Sequence, residues 1–354
     1  MRPTFHPSLV NDTFHDPCLF INFLFENRAI AFDLGDIQAL SPRDILKISH
    51  IFISHTHIDH FAGFDRLLRL ALGREKTVHL FGPDTFLDRI EGKLAGYTWN
   101  LTDNYEHSLT LRATEIREDR CITRTYPCKN RFHQQGDTEE TAPTEQLVSE
   151  DRLSVSAVRL DHGIPCLGFR LDERFHINIK KDALTALGLA PGPWLQAFKT
   201  MIYAGRSRQT LFTVPKEEED ATFPLGELID HIAIITPGQA ITYITDVAYS
   251  PANVAAITRF ARQSDRLFVE AHFMTADEAI ARQKSHLTAR QAGEIAGRCA
   301  AARFTPFHYS PRYTDRRTLI EQEAMDAYNH FSPSSPSSPS SPSTDRSRQY
   351  PSRG

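Results

Sequence analysis

The segment at residues 54–60, Ser-His-Thr-His-Ile-Asp-His, constrains this chain more than any other stretch of its sequence. Three histidines and one aspartate fall within six residues, directly after an apolar run at residues 51–53 that predicts a buried strand. The turn after such a strand can direct several side chains toward one point. Neutral imidazole and carboxylate are ligands that suit zinc and related divalent ions. The segment therefore predicts a metal site.

Three further apolar runs are followed by residues of the same ligand types. His162 follows residues 155–160, Asp246 follows residues 241–244, and His308 follows residues 303–307. Together with the first segment, four predicted strand ends carry seven residues of these types. One tetrahedral ion takes about four ligands, so seven ligands suit two ions. The sequence thus predicts a dinuclear site.

The order and spacing of these residues resemble the metallo-β-lactamase superfamily. The resemblance implies an α/β fold of the four-layer αββα sandwich type, with the metals at one edge of the two sheets. It also implies that Asp246 bridges two ions and that the other six ligands divide between them. Those ligands are His55, His57 and His162 for one ion, and Asp59, His60 and His308 for the other.

Four segments resemble the ribonuclease Z branch of that superfamily, whose members remove the 3′ trailer from precursor tRNA. They are residues 160–169, residues 269–273 with 286–288, residues 307–313, and the Gly-Pro stretch at residues 187–194. The last resembles the base of the flexible arm that clamps the tRNA body, which implies an arm at about residues 172–205. The resemblance predicts a metal-dependent phosphodiesterase that acts as an endoribonuclease on precursor tRNA 3′ ends.

The same resemblance implies catalytic roles for Asp59, Glu270 and His286. His286 would donate a proton to the leaving 3′-oxygen. Glu270 would orient that imidazole, as carboxylates commonly orient histidines. Asp59 would contact the attacking water in addition to binding a metal.

The chain also departs from the ribonuclease Z pattern. It lacks the opening Gly-Thr-Gly segment and the Pro-x-Lys-x-Arg-Asn loop, and Val269, His272 and Leu287 replace a His, a Thr and a Ser. These departures leave the predicted ligands in place and concern the substrate. A hydrolase of a small ester, thioester or cyclic nucleotide is the main alternative. A binding protein without catalysis is a second alternative, against which the complete ligand set argues.

Composition narrows the partners and the compartment. The formal net charge of −4 is no general basic signature, so an RNA partner needs a local patch of Lys and Arg. No apolar run reaches the roughly 18 residues of a membrane span, and residues 1–7 lack the apolar core of a signal peptide. The five widely spaced cysteines are expected to be reduced thiols in a cytoplasmic protein. We expect zinc at both positions, with manganese and iron as alternatives. The oligomeric state stays open, with a homodimer as one option.

The chain divides by composition into a hydrolase domain at residues 1–330 and a Ser-Ser-Pro repeat at residues 331–354. The repeat is expected to be disordered, because proline removes backbone donors and serine adds nothing to a core. Within the domain, residues 117–150 are polar and are expected to form a surface insertion or mobile loop.

Overall fold

The computed structural model describes residues 4–24, 26–216 and 219–333. Its strands are β1 (Phe5–Leu9), β2 (Leu19–Phe23), β3 (Ala29–Phe32), β4 (Ile48–Phe52), β5 (Lys76–Gly82), β6 (Leu109–Ile116), β7 (Cys121–Pro127), β8 (Glu139–Thr141), β9 (Gln146–Ser149), β10 (Leu153–Asp161), β11 (Pro165–Glu173), β12 (Phe175–Ile179), β13 (Leu211–Val214), β14 (Ala221–Pro224), β15 (Ala233–Pro237), β16 (Ala240–Ile244), β17 (Arg266–Glu270) and β18 (Phe304–Phe307). Its helices are α1 (Pro42–Lys47), α2 (Ile58–Phe61), α3 (Phe64–Ala71), α4 (Phe86–Ala95), α5 (Lys181–Ala186), α6 (Trp194–Tyr203), α7 (Leu225–Ile232), α8 (Pro251–Phe260), α9 (Glu278–Gln283), α10 (Ala289–Arg298) and α11 (Arg317–Phe331).

Two large sheets form the centre of the fold. The first has eight strands in chain order from β1 to β8, and its members β3 to β6 run parallel to one another. The second has six strands in the order β18-β17-β16-β11-β10-β9, and its members β16, β17 and β18 run parallel. Since parallel strands end at the same edge, each sheet has one edge where several carboxyl ends meet.

The two sheets pack face to face through an aromatic core, and helices cover both outer faces. Phe32 of β3 stacks on Phe169 of β11 with ring centroids 5.5 Å apart, and Tyr243 and Phe307 extend the same layer. Helices α1, α3 and α4 bury their apolar residues against the first sheet. Helices α8, α10 and α11 do so against the second. This arrangement confirms the predicted αββα sandwich, in which each element buries one apolar face.

A separate small module interrupts the second sheet between β11 and β16. Strands β12 and β15 pair as a two-stranded stalk, and helices α5, α6 and α7 with the β13–β14 hairpin sit at its far end. The module has its own core, which includes Leu184, Trp194, Phe198, Phe212 and Leu228. The arm expected at residues 172–205 is therefore only the first half of this unit. Residues up to 237 belong to it, because the apolar faces of β13 and α7 are needed to close its core.

Residues 117–150 differ from the expected surface loop. Strand β7 pairs with β6 along its whole length, β8 continues the first sheet, and β9 joins the second. Cys121, Ile122 and Tyr126 are buried, while the intervening side chains are half-exposed. A strand that buries only one face carries polar residues on the other, and this polarity made the segment look like a loop.

The end of the chain and the cysteines complete the comparison with the sequence. Phe331, which we assigned to the Ser-Pro tail, is the last residue of α11, and residues 334–354 of that tail lie outside the described residues. All five cysteines are free and buried. None of the helices in the described ranges is long and apolar enough to cross a membrane.

Candidate metal centre

The predicted ligands lie at the edge where the carboxyl ends of the parallel strands meet. His55 and His57 follow β4, and Asp59 and His60 lie on the short helix α2 directly after them. His162 occupies the turn between β10 and β11. Asp246 and His308 follow β16 and β18. The two sheets therefore deliver their ligands to one place, because β4 belongs to the first sheet and β16 and β18 belong to the second.

The side chains assemble into two groups. Within each group the ligand atoms lie within 4.8 Å of one another, so that one ion can contact all of them. The first group consists of His55, His57, His162 and Asp246, and the second consists of Asp59, His60 and His308. The structure thus brings all seven predicted residues together, with Asp246 in the first group.

Asp246 lies between the two groups. Its Oδ2 atom is 3.7 Å from Nε2 of His55 and 3.6 Å from Nε2 of His162. The same oxygen is 3.4 Å from Nε2 of His60, and Oδ1 is 3.1 Å from Nε2 of His308. Burial favours the neutral acid, but His308 and His60 outweigh it and hold the pKa of Asp246 well below its usual range. One ionised carboxylate therefore faces nitrogens of both groups.

The donor set fits two divalent ions. Nε2 of the fully buried His60 has no hydrogen-bond partner among the described residues, although carboxylate oxygens of Asp246 and Asp59 lie at 3.4 and 3.5 Å. A buried polar nitrogen left unpaired is costly, and a metal ion is a partner that an imidazole lone pair accepts. His55 Nε2 and His57 Nδ1 also lie 2.9 Å apart, which places two potential metal-ligand atoms side by side.

A carboxylate–imidazole pair adjoins the two groups. Nδ1 of His286 donates to Oε2 of Glu270 at 2.9 Å and lies 3.9 Å from Oδ2 of Asp246. Glu270 is fully buried, and its Oε1 accepts hydrogen bonds from the backbone of Val247 and Leu287. Burial lowers the pKa of His286, but the charge and hydrogen bond of Glu270 outweigh it and raise that pKa to about 9. The buried carboxylate of Glu270 therefore favours the protonated form of this imidazole.

Comparisons with known proteins identify the family to which this chain belongs. A family model described as "Beta-lactamase superfamily domain" matches residues 193–309. The Ribonuclease Z of Deinococcus radiodurans is 31% identical over 309 residues, which cover 84% of this chain and 87% of that protein. The chain belongs to the ribonuclease Z family. A second member, from Thermobifida fusca, is 33% identical over 297 residues, covering 82% of this chain and 77% of its own length.

A solved structure supports the fold independently. The metallo-beta-lactamase fold protein YhfI from Bacillus subtilis superposes with a TM-score of 0.52 at 13% identity, covering 92% of this chain and 94% of that one. At this identity the likeness concerns the fold alone. Chain topology and sequence thus agree that this member of the ribonuclease Z family is built on the metallo-β-lactamase sandwich.

Asp33 is a site residue that the sequence reasoning missed. It follows β3, is fully buried and has a positive φ of 56°. Its carboxylate accepts hydrogen bonds from His60 Nδ1 at 2.9 Å, from the Ser54 backbone at 2.7 Å and from the Tyr243 hydroxyl at 2.9 Å. It therefore orients His60 so that Nε2 faces Asp246. Its signal in the sequence is an acid directly after the apolar run at residues 29–32, which resembles the signal that marks the predicted ligands.

His162 is oriented in the same manner by a backbone carbonyl. Its Nδ1 donates to the oxygen of Ser285 at 2.8 Å, and Ser285 itself has a positive φ of 59°. Because Nδ1 is used in this hydrogen bond, Nε2 is left for the first ligand group. Two of the histidines thus have their metal-facing nitrogen selected by a partner outside the ligand set.

His272 is a further residue that the sequence flagged only as a departure from the family pattern. Its ring stacks on His286 with centroids 4.1 Å apart and an interplanar angle of 11°. Its centroid is also 5.0 Å from that of His308. With Glu270, His272 and His286 form a third group whose potential ligand atoms lie within 4.8 Å of one another. The stack also restricts the rotation of the His286 ring.

Proposed function

We propose that this chain is a dinuclear metal-dependent endoribonuclease that removes the 3′ trailer of precursor tRNA. The carrying observation is the pair of ligand groups that meet at Asp246 beside the Glu270–His286 pair. That combination supplies what phosphodiester hydrolysis needs, namely charge stabilisation and a proton donor. The relatives named Ribonuclease Z support the same reaction and the same class of substrate.

Two ions, most simply zinc, would be held by the two groups with Asp246 between them. The proposed ligands are His55, His57, Asp59, His60, His162, Asp246 and His308. Bound there, two ions supply Lewis-acid stabilisation of the oxygens in an in-line displacement and lower the pKa of the attacking water. Nitrogen and carboxylate donors suit zinc, and the same set accepts manganese or iron.

The acid–base work falls to residues of the chain itself. Water attacks phosphorus while the bond from phosphorus to the 3′-oxygen of the mature tRNA breaks. Burial raises the pKa of Asp59, but its interactions with His60 and His308 outweigh this and keep the carboxylate ionised, so that Asp59 can accept a hydrogen bond from the attacking water and orient it. The proton of that water, whose pKa two bound ions would lower, passes to solvent. His286 protonates the departing 3′-oxygen.

Glu270 and His272 position the acid. Because Nδ1 of His286 is held by Glu270, Nε2 is the atom left for the leaving oxygen. The stacked ring of His272 restricts the same imidazole from its face. His286 is thus held along one edge and one face, which lowers the entropic cost of reaching the reactive geometry.

The side module is the part of the fold suited to hold the tRNA body. It stands on the β12–β15 stalk, which leaves the second sheet where β11 ends and β16 begins, and its basic residues include Arg174, Lys180, Lys181 and Lys199. Phosphate contacts from such residues fix the position of a nucleic acid without reading its sequence. We place the activity in the cytoplasm, in agreement with five cysteines that are free thiols.

Cleavage of end-labelled precursor tRNA, beside hydrolysis of bis-p-nitrophenyl phosphate, tests the proposal. We expect one endonucleolytic cut at the 3′ end of the acceptor stem, dependent on added or retained divalent metal. The small diester serves as the control for the chemistry without tRNA binding. Turnover of the small diester, or of an ester or cyclic nucleotide, without any cleavage of precursor tRNA would reject this substrate.

A further inference from the structure

A large cavity lies far from the metal groups and plays no part in the proposed reaction. Its volume is about 710 Å³, and it is lined by the end of α4, the loop at residues 97–100 and the segment after β7 at residues 131–134. We call it the aromatic cavity. A volume of this size is within the range of small-molecule and nucleotide sites, which is roughly 300–1,000 Å³.

The topology places this cavity at the opposite end of the first sheet. Helix α4 starts next to the carboxyl end of β5, where the ligands are, and its last residues line the cavity. Strand β7 runs antiparallel to β6, so that Pro127 at its end pairs with Thr110 near the start of β6. The eight residues of β6 span about 25 Å, so the two ends of this strand are far apart, with the metal groups near its carboxyl end and the cavity near its amino end.

Aromatic rings and arginines share the walls of the cavity. Trp99 packs edge-on against Phe132 with centroids 4.7 Å apart, and against Tyr97 with centroids 5.7 Å apart. Tyr97 is 47% exposed, so part of its ring is open to a ligand. Arg124 and Arg131 line the same space. Aromatic faces beside guanidinium groups are the combination that binds unstacked bases and their phosphates.

The two arginines of the cavity have N–H donors that their ion pairs do not use. Arg124 pairs with Glu91 at 2.8 Å, and Arg131 pairs with Asp103 at 2.9 Å. A guanidinium has five N–H donors, so each pair leaves several of them. The Nε atom of Arg124 is buried and has no hydrogen-bond partner among the described residues. The donors that a ligand in the cavity can reach are therefore those of the exposed Arg131 side chain.

The backbone that carries Arg131 and Phe132 is strained. Their φ angles are 52° and 56°, and two consecutive non-glycine residues in the left-handed region are uncommon. Phe132 is buried against Trp99, whereas the Arg131 side chain is 55% exposed at the rim. Strained backbone of this kind is concentrated at functional sites. Here the two left-handed residues place the Phe132 ring in the wall of the cavity and the Arg131 guanidinium at its opening.

We infer that the aromatic cavity binds an unstacked nucleobase of an RNA single strand together with its phosphate. The inference rests on the proposed function, because RNA engaged at the metal centre is the strand that would reach this end of the sheet. Stacking is offered by Tyr97 and Trp99, and the phosphate is met by Arg131. The side-chain amides of Asn100 and Gln134, which also line the cavity, can hydrogen-bond to a base edge.

Tryptophan fluorescence tests the site directly, because the chain has only two tryptophans. The Trp194→Phe variant leaves Trp99 as the reporter, and Trp194 lies in the core of the side module, away from the cavity. We expect saturable quenching of Trp99 when the metal-loaded protein is titrated with hexaadenylate. Two further variants are made in that background, and each should raise the Kd. For Tyr97→Ala the increase should be about 5- to 100-fold, the usual effect of losing a stacking ring. Arg131→Gln removes the cation proposed to meet the phosphate.

The control is Arg259→Gln, which removes an exposed arginine from α8 on the other side of the sandwich. Absence of saturable quenching, or an equal loss of affinity in the control, would overturn the inference. Titration with AMP distinguishes a free nucleotide from an RNA strand as the ligand. An affinity for AMP as high as that for hexaadenylate would overturn the assignment to an RNA strand.

Cleavage of precursor tRNA is measured in parallel. Cleavage without quenching rejects only the cavity, and quenching without cleavage rejects the proposed function.

Discussion

At the scale of single residues, the site depends on carboxylates that fix imidazoles. Asp33 holds His60, and Glu270 holds His286. In both cases the acid is fully buried and accepts additional backbone hydrogen bonds, so its position is set by the fold. Each histidine therefore presents one defined nitrogen to the reaction space.

The role of His286 can be separated from metal binding. We expect His286→Ala to lower the rate of precursor tRNA cleavage by about 10²- to 10⁴-fold, the usual contribution of a general acid. Metal content measured by elemental analysis should stay at the wild-type level, because His286 is not among the proposed ligands. His330→Ala, which changes an exposed histidine on α11, is the matched control. Full activity, or loss of the metals, in the His286 variant would contradict the assigned role.

Asp33 gives a complementary test at the metal-ligand side. Asp33→Asn keeps the size of the side chain but removes the negative charge of the carboxylate, which accepts a hydrogen bond from His60 Nδ1. We expect metal affinity, measured by competition with a chelator, to fall about 10- to 100-fold, as for other partners that orient ligands. Asp36→Asn changes an exposed acid of the same turn and should have no effect. An unchanged affinity in the Asp33 variant would show that His60 is oriented by the backbone alone.

The buried residue His50 makes the stability of the fold depend on pH. Burial, with smaller effects of His79 and Arg28, lowers the pKa of His50 from 6.5 to about 3. The folded protein therefore keeps His50 neutral while the unfolded chain takes up a proton below pH 6.5. This contribution to stability is complete above pH 6.5 and is lost progressively as the pH falls toward 3.

The expected outcome concerns the slope of stability against pH. Between pH 6.5 and 4, the free energy of unfolding of the His50→Gln variant should fall less steeply than that of the wild type, as measured by urea denaturation of both proteins. The control His107→Gln changes an exposed histidine and should keep the wild-type slope. Identical slopes for all three proteins would mean that His50 is protonated equally in the folded and unfolded states.

At the scale of elements, the molecule separates chemistry from the holding of a large substrate. The ligands follow strands of the two sheets, whereas the side module closes its own core around Phe198 and Trp194. The chain enters and leaves the module through the two strands of the stalk, at whose far end Ile179 pairs with Ala233. Tyr203 of α6 also packs under the guanidinium of Arg152, which lies just before β10. The module can therefore be removed without cutting through either large sheet.

Replacing residues 180–232 by Asn-Gly would close the stalk as a two-residue hairpin. We expect kcat/KM for precursor tRNA to fall by about 10²-fold or more, because binding remote from the reacting bond is lost. Hydrolysis of bis-p-nitrophenyl phosphate should be unchanged and serves as the internal control. An equal loss for both substrates would mean that the module supports the fold of the catalytic edge.

At the scale of the whole molecule, the metal centre joins the two halves of the sandwich. His55, His57, Asp59 and His60 come from the first sheet and the short helix behind it, while His162, Asp246 and His308 come from the second. A bound ion would therefore hold together two sheets that otherwise contact through apolar side chains. Metal binding and global stability are expected to be linked.

Removal of the metals should accordingly lower the Tm of the whole domain in one cooperative transition. Each site stabilises the folded state by about 2.7 kcal/mol when the free ion is at 100 times its Kd. Differential scanning calorimetry before and after dialysis against a chelator, with zinc added back, measures the effect, and elemental analysis should give two metals per chain. The expectation fails if metal-free protein has an unchanged Tm, or if the stoichiometry stays well below one.

The candidate ligands were predictable from the sequence because they form local patterns, and the αββα sandwich was implied by the resemblance of those patterns to the metallo-β-lactamase superfamily. Four apolar runs are each followed within a few residues by ligand types, and four of the seven predicted ligands lie within residues 54–60. Parallel strands end at one edge, so such residues converge once the sheets form. The sequence could not predict the role of Asp33, whose hydrogen bond to Tyr243 joins residues 210 positions apart. It also missed β7, the stack of His272 on His286, and the second half of the side module. These features depend on which distant segment covers a given face, and only the tertiary structure decides that.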